Sequence, residues 1–166
     1  MKKYDYPAIP EEILVTKIYL LRGHRVMMDR DLAVLYGVKA IRLREQVKRN
    51  LVRFPSNFMF QLTEKEVKEM ISQNVIPTRN HIGGTLPYAF TEHGILMLAN
   101  VLKSDQAIQM SLKIIEIFVR MREFLFANKH IIKQLDTLET QVDQHNGDIK
   151  KIFSILRYLL APDIKQ

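Results

Sequence analysis

Residues 13–28, "ILVTKIYLLRGHRVMM", place β-branched and aliphatic side chains on both sides of a glycine, which predicts a β-hairpin turning near Gly23. Asp29 then suits the N-cap of a helix through Tyr36, and Gly37 ends that helix with a backbone only glycine adopts cheaply. A second helix is expected from Lys39 or Ala40 to Arg53, where Pro55 stops it. "NFMFQL" (57–62) alternates and predicts a strand. Thr63 and Glu66 form a capping box that opens a helix to about Asn74. The segment 76–85, "IPTRNHIGGT", reads as a loop or hairpin tip, and "LPYAF" (86–90) as a short strand. Thr91 caps a helix through Leu102, and Ser104 caps a longer one that runs past Arg122.

From Phe124 the period changes to seven residues. Leu135, Val142, Ile149 and Leu156 take one seam position, with Asn128 before them. Phe124, Ile131, Leu138, Ile152 and Leu159 take the other, with His145 as the polar exception. A sustained heptad predicts a coiled coil, and "HNGD" (145–148) is its weak point, because a glycine inside a helix costs about 1 kcal/mol. Two arrangements are open: pairing between chains, which is preferred, or a helical hairpin folding back on the domain. In the first, Ile131, Leu135, Leu138, Val142, Ile149, Ile152, Leu156 and Leu159 form the oligomerisation seam. The pattern therefore divides the chain into a domain over 13–125 and a coiled-coil or helical-hairpin tail over 126–160.

Composition narrows the class. The chain is 47% hydrophobic and 26% charged, enough for a packed core. It has no cysteine, which excludes disulfides, thiolate metal sites and a cysteine nucleophile, and fits a reducing compartment. "MKKYDYPAIPEE" has no apolar run behind its lysines and is not read as a signal peptide. "GILMLANVL" is too short to span a bilayer, so a soluble cytoplasmic protein without membrane contact is expected.

The net charge is +7, and its placement matters more than its size. Residues 22–53 hold nine basic and three acidic side chains, nearly the whole excess. Charge focused on one segment is the footprint of a polyanion-binding surface. The same segment, "DLAVLYGVKAIRLREQVKRN", fits a helix-turn-helix: Ala33 is small, Gly37 supplies the turn, and Leu32, Tyr36, Val38, Leu43 and Val47 can meet. Rotation of about 100° per residue puts Leu43, Val47, Leu51 and Phe54 on a core side. Arg42, Glu45, Gln46, Arg49 and Arg53 then face away, with Arg44 and Lys48 on a flank. Arginine and glutamine pair with base edges, and flanking cations suit phosphates. The candidate base contacts are Lys39, Arg42, Gln46 and Arg49. The candidate phosphate contacts are Arg30, Arg44, Lys48, Arg53 and Arg79, the last on an exposed loop that would be a wing tip.

The stretches "GHRVMMDRDLAVLYGV", "EQVKRN", "RFPSNFMFQLT", "SQN", "GGTLPYAFTEHGILML" and "AIQMSLKIIEIFVRMRE" resemble, in this order, the ORF-six-N domain of phages and prophages. That family belongs to the KilA-N and Bro-N group. The resemblance implies a DNA-binding module of the kind found in phage antirepressors and related regulators. Of the family-like residues, Gln46, Lys48, Arg49 and Asn50 are the plausible contacts, although Asn50 projects toward the core and suits a helix-end hydrogen bond. Relatives often continue into a C-terminal effector domain, whereas here the heptad tail follows.

No catalytic constellation stands out. His24, His81, His93, His130 and His145 lack metal-ligand spacing, and Gly83-Gly84 is not a phosphate loop. A nuclease site from His81, Glu92 and His93 is the weakest alternative. The chain is thus read as a non-enzyme with no metal or other cofactor, of α+β class. It would have a helix-turn-helix-like core with small β-hairpins, resembling a winged helix, and a coiled-coil tail. The expected activity is binding of double-stranded DNA as a homodimer in transcriptional regulation. The alternative is an antirepressor that binds a repressor protein through the tail.

Overall fold

The computed structural model describes residues 8–82, 84–142 and 147–160. Strands β1 (Tyr19–Leu21), β2 (His24–Met28), β3 (Met59–Gln61) and β4 (Tyr88–Phe90) form one antiparallel sheet in the order β1-β2-β4-β3. Its register pairs Tyr19 with Val26, Met27 with Phe90, and Met59 with Phe90. The chain is of α+β class, as the sequence pattern implies.

Successive strand residues point to opposite faces, and here both faces are covered. Met27, Met59 and Phe90 enter a large core with Leu32, Tyr36, Leu43, Val47, Ile95, Leu98 and Ile114. Val26, Met28 and Ala89 enter a smaller core with Tyr19, Leu62, Val67, Met70 and Ile76. Helices α2 (Asp29–Leu35), α3 (Ala40–Arg49), α6 (Glu92–Leu102) and α7 (Asp105–Ala127) build the first layer. Helix α4 (Glu64–Ser72) covers the other face.

The hairpin turn falls at Arg22-Gly23, both with positive φ (51° and 76°), as a tight two-residue connection requires. Arg22 is an unusual occupant, and three contacts hold it. Its guanidinium donates to Glu66 at 2.7 and 2.9 Å, reaches the Gln61 carbonyl, and lies 4.3 Å over the Phe60 ring. The capping box at Thr63 and Glu66 forms, and Thr91 and Ser104 cap α6 and α7.

Several boundaries differ from the sequence reading. Residues 13–15 are helical, not strand: α1 (Glu11–Val15) follows Pro10 with two glutamates in its first turn, where the helix dipole favours them. Asp29 is the first residue of α2, and Met28 occupies the cap. Helix α3 ends at Arg49, four residues before the expected end. Asn50 turns its side-chain amide back onto the Gln46 carbonyl (2.9 Å), and a 3₁₀ turn, Leu51–Arg53, follows. Pro55 disfavours helical backbone at Phe54, which tightens this exit. Residues 76–85 are not a hairpin tip, because they contain the short helix α5 (Arg79–Ile82). Strands β3 and β4 pair, but α4 and α5 lie between them in sequence.

Helices α8 (Lys129–Val142) and α9 (Gly147–Leu160) pack on each other, and α9 reaches back to β1. Arg157 of α9 ion-pairs with Asp136 (3.0 Å) and Glu139 of α8. The buried Arg25 donates to the Leu159 carbonyl (3.2 Å), one of the terminal carbonyls that α9 itself leaves unsatisfied. His145 and Gly83 lie outside the described residues.

Two outcomes test this packing. A Cβ at Gly94 would sit 2.0 Å from the Phe58 carbonyl oxygen. Gly94→Ala should therefore lose about 1–3 kcal/mol or more in urea unfolding, since backbone must shift to admit it. The Arg22 guanidinium, helped by the Thr63 amide, holds the Glu66 carboxyl down at about 2, below its ordinary 4.5. Glu66 then stabilises the fold above pH 4.5 and loses that contribution as pH falls toward 2. Arg22→Ala should flatten thermal stability against pH across that window.

Candidate nucleic-acid interface

The helix pair α2–α3 is set by a short list of contacts. Gly37 has φ +66°; the Val38 amide donates to Ala33 and the Gly37 amide to Val34. These two hydrogen bonds satisfy carbonyls of the last turn of α2 and redirect the chain. A Cβ on Gly37 would also meet the Gln106 side chain at 2.8 Å, which itself donates to the Leu35 carbonyl. Ala33 is buried, and Leu32, Tyr36, Leu43 and Val47 lock the inner faces of both helices into the large core. The Tyr36 hydroxyl meets Ser111 Oγ at 2.7 Å, so the turn is also tied to α7.

An ion pair completes the frame. The Asp29 carboxylate, fully buried, accepts from Arg44 Nε at 2.6 Å and from the Arg30 amide at 2.8 Å. It joins the first turn of α2 to the middle of α3. Breaking such a pair strands a charge, so it restricts how α3 can rotate on α2.

The outward face of α3 can then be read. Leu43 and Val47 mark the buried side. Ile41, Arg42, Glu45, Lys48 and Arg49 are exposed on the opposite arc, Lys39 precedes the first turn, and Arg53 is exposed just beyond the last. Five of the nine nominated DNA contacts, Lys39, Arg42, Lys48, Arg49 and Arg53, thus gather on and around one helix face. Of the remaining four, Arg44, Arg30 and Arg79 have partners within the chain, whereas the Gln46 side chain has none among the described residues. Arg44 is spent on Asp29. Gln46 is partly exposed, and its backbone carbonyl accepts from the Asn50 side chain. Arg30 donates to the Asn80 carbonyl (3.2 Å). Arg79 pairs with Glu64 at 2.6 Å and sits on α5 instead of a wing.

The sequence reading missed Ile41, which is 64% exposed in the first turn of α3, beside Arg42. The same rotation that placed Leu43 inside puts Ile41 outside, but an aliphatic residue was sought only in the core. Val52, 94% exposed, lies beyond the other end.

The weaker chemical candidates have structural partners. Glu92 pairs with Arg122 at 2.9 Å, and the His93 ring stacks on Phe58, 5.4 Å between centroids. Among the described residues no three histidine or acidic side chains gather to hold a metal ion. No helix among them is long and apolar enough to cross a membrane.

Frame and face separate under mutation. Arg44→Ala should cost about 3–5 kcal/mol in urea unfolding, because Asp29 is left buried without its partner. Arg49→Ala, fully outside the core, should stay within about 0.5 kcal/mol of the parent. Equal stability of the two variants would show that the ion pair does not hold α3.

Neither a curated protein nor a solved structure matches this chain. The family pattern described as the ORF6N domain matches residues 16–101, which runs from the β-hairpin through α2, α3 and the sheet to the end of α6. That match covers more than half of the chain and contains the whole helix pair, so the protein belongs to the ORF6N (ORF-six-N) domain family.

Proposed function

We propose that this chain is a phage-type or prophage-type transcriptional regulator that binds duplex DNA, with α3 in the major groove, as a homodimer held by its tail. One observation carries the reading. Arg22, Arg44, Arg79, Arg120, Arg122 and Arg157 each have a carboxylate partner, and Arg25 and Arg30 donate to carbonyls. Arg42, Arg49 and Arg53, on or beside the outward face of α3, have no ion pair or side-chain hydrogen bond with another described residue. Arginines held this way are available to an external anion.

Roles follow from position. Arg42 and Arg49 lie two turns apart on one side of α3 and suit guanine edges through two-point hydrogen bonds. Ile41 gives the same face an aliphatic group for a thymine methyl, and Glu45 an acceptor for a cytosine amine. Lys39, Lys48 and Arg53 border the face and suit phosphates. The chemistry is recognition, and α3 acts as a rigid reader because Asp29 and the core fix its back.

The tail supports a second reading, an antirepressor that binds a repressor protein. Leu138 and Ile152 stay 48% and 58% exposed in the single chain, so apolar surface is on offer there. In that case DNA binding would be absent and the tail alone would carry activity.

Fluorescence anisotropy on random and selected duplexes separates the two. DNA affinity should fall steeply with salt, at a log–log slope of about −0.9 per phosphate contacted. Arg49→Ala should cost about 1–3 kcal/mol on a selected site and relax its sequence preference, while Lys48→Ala weakens every sequence alike. Parent-like binding by both folded variants would move the interface off α3. Absence of binding at low salt would favour the antirepressor.

A further inference from the structure

Helix α7 turns one line of residues, Ala107, Ile114, Phe118 and Leu125, into the large core or its edge. At about 100° per residue, Ile108, Leu112, Ile115 and Val119 lie together about a third of a turn round from that line. Ile108 and Leu112 are 40% and 50% exposed, and Ile115 and Val119 are partly buried. These four follow one another at steps of four, three and four residues, the alternation by which one helix meets another helix. No ionised side chain interrupts them. The next position of the repeat is Arg122, which Glu92 of α6 holds at 2.9 Å and which bounds the stripe. Helix α6 packs along α7 on that side, and its Leu96, one turn beyond Glu92, is 49% exposed. Helix α1 takes the other flank, where Arg120 pairs with Glu11. Residues 92–127 hold four basic and four acidic side chains, so the pair α6–α7 is neutral in a chain of net charge +7.

We infer that this stripe is a contact between two copies of the chain, their α7 helices paired antiparallel about a two-fold axis between Lys113 and Ile114. In a two-fold contact the same patch serves both sides, so each residue meets its counterpart twice. Ile108 meets Val119 of the second copy, and Leu112 meets Ile115 of the second copy. All four layers are then aliphatic on both sides, and Arg122 stays outside the seam. On the flank, Gln109 comes opposite Glu116 of the second copy, where an amide can donate to a carboxylate. Sliding the pair by one repeat would instead bring the two Glu116 side chains together, which like charge disfavours. Charge also selects the occupant. The stripe offers a duplex no cation. Two chains of net charge +7 meet with least repulsion where the surface is neutral, and the basic face of α3 is the opposite case. Burial of residues exposed in the single chain supplies the drive. The contact is separate from the tail pairing proposed above and does not rest on it. Where both form, dimers are linked into tetramers.

The test uses the full chain, which has no cysteine of its own. Chains carrying Ile108→Cys are mixed with chains carrying Val119→Cys and treated with a bis-maleimide shorter than two helical turns. The antiparallel pair predicts a covalent heterodimer on denaturing gels from the mixture, formed without DNA, and no dimer from either chain alone. Like positions of the two copies are about 16 Å apart along the axis, out of reach of the reagent. Adding Leu138→Lys and Ile152→Lys to both chains disables the tail seam, and the heterodimer should persist. Adding Leu112→Glu instead places a carboxylate in a central layer, and the heterodimer should be lost. Leu112 is half-exposed in the single chain, so this variant should keep the parent's urea midpoint and its duplex binding by anisotropy. Absence of a heterodimer from the mixture, while both chains unfold cooperatively like the parent, would overturn the contact and leave the stripe to a helix of another protein. Crosslinking of Ile108→Cys chains with one another would overturn the antiparallel pairing. Loss of the heterodimer with the tail substitutions, or its survival with Leu112→Glu, would assign the association to another surface.

Discussion

The Asp29 carboxylate sits where the sheet hands over to the helix pair. It lies one residue beyond β2, in the first turn of α2, and it is fully buried. A buried carboxylate needs a partner, and the partner is Arg44, in the middle of α3. That single requirement sets the rotation of α3 on its axis. With Arg44 held inward and Leu43 and Val47 in the core, the remaining cations of α3 have nowhere to go but outward. The same pair ties the outward face of α3 to the sheet, so that face has a rigid back.

Glycine and polar contacts at the helix junctions extend this rigidity. Gly37 gives α2 its left-handed exit and a close approach to Gln106 of α7. Gly94 lets α6 press against the Phe58 carbonyl, and Thr91 binds the same backbone. α6 in turn packs on α3 and α7. The chain therefore places an ordered basic helix on a scaffold of two cores, with the sheet between them.

Much of this was legible in the sequence, because local chemistry decides it. Gly23 and Gly37 marked turns, the Thr63–Glu66 box and the Thr91 and Ser104 caps marked helix starts, and period marked most elements. What was not legible depends on partners far away in sequence. Asp29 looked like a cap because nothing local showed Arg44 as its partner. Nothing local showed Asp29 and Glu64 as the partners of Arg44 and Arg79 either. The helix 11–15 was hidden by "ILV", whose β-branched residues suit a strand until Leu14 finds the core. Arg42 and Arg49 were readable as outward residues because Leu43 and Val47 fix the inward side. Ile41 obeys the same rotation and was overlooked only for being apolar. The heptad was plain in the sequence, but periodicity alone does not distinguish a partner in the same chain from one in another.

The proposed DNA-binding surface is the outward face of α3. Amide chemical shifts of the isotope-labelled protein, followed while a short duplex is titrated in at low salt, test it most directly. Changes are expected to concentrate between Lys39 and Arg53, with the α4 and α9 amides nearly still. Changes confined to other elements, or none at saturating duplex, would contradict it.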